Sequence, residues 1–153
     1  MLEGPHFQNA YICRDLAEAN AHMRKMGATR DLTVIPIQQT VQTPSGPKQM
    51  DIKAGLTWIN NLQYELIEVT SDEVGIYGDW TFDGPLGFHH ICTKIEDWDD
   101  FRSRVDRQDL PLVVEAVSNG GLKFLYLDAR ATLGHYLEYV WVPDQMWEMM
   151  KRM

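Results

Sequence analysis

Cysteine is scarce in this chain: Cys13 and Cys92 are the only two in 153 residues. That is too few for a disulfide framework, and both fall in segments that read as strands, so free buried thiols in a reducing compartment are expected. No apolar run approaches the roughly 20 residues needed to cross a bilayer. Residues 1–6 carry neither the basic nor the apolar part of an export signal, and a cytoplasmic location is expected. Basic residues are also few, 14 Lys and Arg against 22 Asp and Glu for a net charge of −8, and they form no cluster. Without a basic face there is nothing to neutralise phosphates, which argues against nucleic acid as a partner. What is present is the material of a core: 44% hydrophobic residues, with five Trp, six Tyr and five Phe. A chain of this length can bury about 70% of its unfolded surface as one domain.

The informative feature is an internal repeat. Phe7-Gln8-Asn9-Ala10-Tyr11-Ile12-Cys13-Arg14-Asp15-Leu16 aligns without a gap on His89-His90-Ile91-Cys92-Thr93-Lys94-Ile95-Glu96-Asp97-Trp98, and Tyr64-Glu65-Leu66-Ile67-Glu68 aligns on Leu137-Glu138-Tyr139-Val140-Trp141. Gln8 thereby matches His90, and Glu65 matches Glu138. Each copy carries one metal-type side chain near its start and another near its end, the pattern of a four-ligand site. A carboxylate in the middle of an apolar strand is costly to bury unless it is paired or ligates a metal, and here two occupy equivalent places.

Both copies read as strand, helix, strand, strand, strand. Residues 6–13 form a strand, Asp15 caps a helix closing at Gly27, and strands follow near 32–41, 49–58 and 62–69, the last two joined by Asn60-Asn61. Pro36 places the 32–41 strand at an edge or a bulge. Residues 70–86 are rich in Gly, Asp, Ser and Pro and read as a linker. The second copy runs from a strand at 88–95 through a helix capped by Asp97 to strands at 112–117, 122–127 and 135–142. Pro143 is expected as the first residue of a C-terminal helix carrying Met146, Trp147, Met149 and Met150. Strict alternation would put Gln8 on one face with His6, Ala10 and Ile12, and Phe7 and Tyr11 on the other; it would group His90 with Phe88 and Cys92, and His89 with Ile91 opposite.

These residues resemble the vicinal oxygen chelate superfamily of glyoxalases, bleomycin-resistance proteins and ring-cleaving dioxygenases. The resemblance covers about 6–142 and rests on Gly87-Phe88-His89-His90-Ile91 followed by Asp97, and on Gly134-His135-Tyr136-Leu137-Glu138. Ala10-Tyr11-Ile12-Cys13 and Tyr64-Glu65-Leu66-Ile67-Glu68 are similar to strands of methylmalonyl-CoA epimerases. It implies an α+β fold in which two βαβββ modules in tandem, about 6–70 and 87–142 with a C-terminal helix at 143–153, form a curved, partly open barrel around a shared site. It also implies one divalent ion (zinc, nickel, cobalt, manganese or iron) on Gln8, Glu65, His90 and Glu138, and a homodimer.

The expected chemistry is that of an isomerase, epimerase or lyase acting on a small carbonyl or α-hydroxycarbonyl compound through a metal-stabilised enolate, with Glu138 as base and Glu65 as its counterpart. Arg130 and His135, which flank the last strand, are further candidates for substrate binding. The chain departs from zinc-type glyoxalases after Glu65, where Ile67-Glu68-Val69-Thr70 replaces Thr-His-Asn. The alternative is a non-catalytic protein of the same fold that binds an antibiotic or other aromatic molecule.

Overall fold

The computed structural model describes residues 2–78 and 82–153. Part of the 70–86 linker, including Trp80, lies outside the described residues. Strand β1 (His6–Cys13) leads to helix α1 (Leu16–Lys25), then to β2 (Thr33–Thr43), β3 (Gly46–Ile59) and β4 (Leu62–Asp72). The second half repeats this order with β5 (Leu86–Lys94), α2 (Trp98–Arg104) prolonged by a 3₁₀ turn at Val105–Gln108, then β6 (Leu112–Val117), β7 (Lys123–Asp128), α3 (Arg130–Leu133) and β8 (Tyr136–Trp141). Helix α4 (Asp144–Met150) ends the chain.

Local chemistry explains most boundaries. The Asp15 carboxylate accepts the Glu18 amide at 2.7 Å, and the Asp97 carboxylate accepts the Asp100 amide at 3.0 Å, so each copy caps its helix in the same way. Asn60 adopts φ 55° and turns β3 into β4. Two details differ from the sequence expectation. Residues 130–133, expected to lead directly into the last strand, form the single turn α3, and Pro143 stands at the N-cap before α4 rather than as its first residue.

The eight strands close in the order β1-β4-β3-β2-β6-β7-β8-β5. At β2–β6 the ring is joined by the single pair Gln42↔Glu115. Pro36 therefore sits where β2 is paired on the β3 side alone, which its missing N–H permits. The halves meet along β1–β5, where Gln8 pairs with Cys92 and Ala10 with His90. That register is its own image under exchange of the two repeats, as are the parallel pairs Ala10↔Glu65 and Cys92↔Glu138. The alignment read from the sequence is thus the pseudo-twofold symmetry of the barrel.

Helices α1 and α2 each cover the outside of their own half. Leu16, Ala19 and Met23 of α1 pack with Leu66 of β4. Trp98 and Phe101 of α2 pack with Leu137 and Tyr139 of β8. With Leu66 and Leu137 turned outward to the helices, alternation turns Glu65 and Glu138 inward.

Strict alternation fails at two places, and both matter. Between His6 and Gln8 the β1–β5 register slips by one, and between Ala10 and Tyr11 it slips again, leaving Phe7 and His89 as the extra residues of two β-bulges at equivalent repeat positions. A bulge re-aims side chains. Phe7 consequently joins Gln8 along the interior cavity, and His89 joins His90 in the core. The expectation that Phe7 and His89 point away from their neighbours is corrected, as is the grouping of Phe88 with His90: Phe88 stacks with Tyr11 and His135, away from the interior.

Candidate metal centre

Gln8, Glu65, His90 and Glu138 come from four consecutive strands of the ring, β1, β4, β5 and β8. Glu65, His90 and Glu138 each offer a ligand atom, and these three atoms lie within 4.8 Å of one another. His90 Nε2 stands 3.1 Å from Glu138 Oε2 and 3.5 Å from Glu65 Oε2, with the imidazole fully buried and each carboxylate side chain 12% exposed.

The proton on His90 can be placed from its neighbours. His89 Nε2 lies 3.0 Å from the Ile76 carbonyl oxygen, which only accepts, so Nε2 carries the hydrogen. Burial, reinforced by the adjacent His90, holds His89 well below the usual histidine range, so it is neutral and its Nδ1 is a lone pair. The 2.8 Å contact between the two Nδ1 atoms is then donated by His90. With Nδ1 donating to His89, His90 turns its Nε2 toward two carboxylates, and this buried Nε2 has no hydrogen-bond partner. An imidazole nitrogen and two carboxylates converging on one point are what a cation can resolve, and an imidazole backed by a hydrogen-bond partner on its other nitrogen is the usual form of a metal-ligating histidine.

Gln8 fits the same reading. Its Nε2 donates to Gln63 Oε1 at 2.9 Å, which leaves the amide oxygen as its remaining donor atom on the cavity wall. The donor chemistry of one imidazole with oxygen ligands suits a first-row divalent ion.

The cavity beside this cluster has a volume of about 380 Å³, within the range of roughly 300–1,000 Å³ typical of small-molecule pockets. Gln8, Glu65 and Glu138 form one end, with Tyr77, Cys92 and Tyr126 beside them. Burial pushes Glu65 up to about 7, opposed by His90 and reinforced by Glu138. Burial and then the neighbouring carboxylates raise the Tyr77 and Tyr126 hydroxyls well above the usual tyrosine range, so both remain protonated donors.

Other candidates are placed elsewhere. Arg130 makes a two-pronged ion pair with Asp128 at 2.9 and 2.7 Å and lies over the Tyr136 ring, while His135 donates to the Tyr136 carbonyl; neither lines the cavity among the described residues. Glu68, the rival acid to Glu65, accepts from Lys53 and from the Leu16 amide at the start of α1. Asp51 accepts from Gln38 on the neighbouring strand. Sequence reasoning missed His89, Gln63, Tyr77 and Tyr126. Gln63 was findable as the parallel-strand partner of Gln8, whereas Tyr77 lies in an irregular stretch held by Asp72, whose carboxylate accepts the amides of Gly75, Tyr77 and Gly78.

A family model described as the Glyoxalase/Bleomycin resistance protein/Dioxygenase superfamily matches residues 7–126. The chain belongs to that superfamily. Solved structures share its fold at low identity. A methylmalonyl-CoA epimerase in complex with methylmalonyl-CoA and NH4+ is 17% identical over 92% of this chain and 96% of its own, with TM-score 0.65. The epimerase from Mycobacterium tuberculosis is 12% identical over 97% of both chains at TM-score 0.64, and a hypothetical protein from Bacillus halodurans C-125 is 15% identical over 92% and 96% at 0.64. No curated protein matches the sequence.

Proposed function

We propose that this superfamily member is a divalent-metal-dependent isomerase, epimerase or lyase that moves a proton on the carbon beside a carbonyl of a small molecule. The observation that carries the reading is the orphaned His90 Nε2 between Glu65 and Glu138 beside the cavity. Glu65, His90 and Glu138, with the Gln8 amide oxygen, would hold the ion. Bound there, it would polarise a substrate carbonyl and favour negative charge on its oxygen.

The chain's own groups supply the rest. Glu65 and Glu138 come from equivalent strands, so a carbon between them can lose a proton to one and regain it from the other, inverting its configuration, or exchange it with one carboxylate alone. Tyr77 and Tyr126 are donors for a second oxygen of the substrate. The methylmalonyl-CoA epimerase neighbours act on an acyl thioester, which has an acidic C–H of the required kind. That supports the reaction class without fixing the substrate.

Protein purified without chelators should contain close to one divalent ion per chain. In D2O it should introduce deuterium beside the carbonyl of some member of a panel of α-hydroxyketones and acyl thioesters, read by mass spectrometry. Glu138→Gln should abolish that exchange while circular dichroism stays unchanged. Protein that takes no metal and is indifferent to substitution at Glu65, His90 and Glu138 would rule the proposal out.

A further inference from the structure

We infer that the substrate carries an uncharged, apolar body in the part of the cavity away from the carboxylates; the inference rests on the metal-site reading above and extends it to substrate class. Away from Gln8, Glu65 and Glu138, the cavity wall is hydrocarbon and thioether. Ile37 and Ile52 line it from β2 and β3, Phe124 from β7, and Met146 and Met150 from α4, with Met153 just beyond that helix. No lysine, arginine or histidine lines it among the described residues. A carboxylate or phosphate held in this distal part, away from the ion, would meet no counter-charge among the described residues, and a buried unpaired charge is expensive.

Among the described residues the polar side chains of the wall outside the site end are those of Gln39 and Ser118, both neutral, so an ether, hydroxyl or carbonyl is the most these offer the distal part of a ligand. The methionines give this wall flexible, polarisable side chains that adapt to an irregular apolar body. α4 is fixed over the cavity at two points: the Trp58 indole donates to the Met150 carbonyl at 2.8 Å, and the Trp147 ring meets Phe7 edge-on at 4.9 Å between centroids. The apolar wall is therefore built into the fold.

Straight-chain alkyl hydroxamates of two to eight carbons, which chelate through two adjacent oxygens, test this by calorimetry on the metal-loaded protein. Affinity should rise roughly fourfold per added methylene, the transfer free energy of a buried CH₂. An eight-carbon hydroxamate ending in a carboxylate should bind at least tenfold more weakly than its methyl-ended counterpart. A flat series, or tighter binding of the carboxylate-ended probe, overturns the inference. Methyl ketones of the same lengths on chelator-treated protein should show the same trend in tryptophan fluorescence, and their failure to do so would also overturn it. Metal content, measured separately, decides the metal-site reading, so either can fail alone.

Discussion

His89 shows how much one residue can decide. It accepts from His90 Nδ1 and donates to the Ile76 carbonyl, and so fixes which nitrogen of His90 faces the carboxylates. His89→Phe removes that acceptor, and divalent-metal affinity should fall about 10- to 100-fold, as for other partners of ligating histidines, with strand content by circular dichroism retained. Unchanged affinity would mean that His89 only fills space. Glu65 carries a pH prediction. Its folded-state value of about 7 lies above its ordinary 4.5, so across that interval the folded chain holds a proton the unfolded chain has lost. The Glu65 contribution to the stability of the metal-free protein, read as the difference between the parent and Glu65→Gln, should therefore fall as pH rises through this window. A divalent cation takes the proton's place, so it should raise the unfolding temperature more at pH 7.5 than at pH 5. A difference between the parent and Glu65→Gln that is the same at both pH values, in the metal-free protein, would contradict the placement of Glu65. These two residues were not equally legible in the sequence. Glu65 stood out because its strand repeats in Glu138, whereas nothing in the letters His89-His90 says that both imidazoles point inward.

At the scale of elements, the sequence served well wherever a boundary has its own chemistry. Asp15 and Asp97 cap helices, Asn60 turns a hairpin, and Leu66 and Leu137 mark the faces that helices cover. It failed at the bulges, because an extra residue in one strand is defined only by the partner strand, and at α3, a single turn with no side-chain cap. Neither was the 73–78 stretch readable, since its shape depends on Asp72 gathering three backbone amides. Asp72→Ala leaves those amides without their acceptor. At about 0.5–1.5 kcal/mol for the net loss of such largely exposed hydrogen bonds, it should lower the unfolding temperature by a few degrees and loosen Tyr77 and Ile76, read as faster amide exchange through residues 75–78. Exchange there indistinguishable from the parent protein would show that the stretch is held by packing instead.

At the scale of the whole molecule, the barrel is unevenly sewn. β1 and β5 pair along their length, whereas β2 and β6 meet through one residue pair. Hydrogen exchange should find the amides around Gln42 and Glu115 among the least protected in the sheet and those of β1 and β5 among the most. Equal protection at both joints would contradict this. The fold class was legible because a repeat of two halves leaves a period in the sequence. The cavity's character was not, because Ile37, Phe124 and Met150 are far apart in the chain and meet only when the ring closes.

The pseudo-twofold arrangement also divides the donors between the halves: Gln8 and Glu65 belong to the first repeat, His90 and Glu138 to the second. Neither half on its own owns enough ligands to capture a cation. If the proposed ion binds there, its uptake would report that β1 has docked on β5 in the right register. A partly assembled chain would then lack the full ligand set, so the proposed loading step would follow closure of the ring.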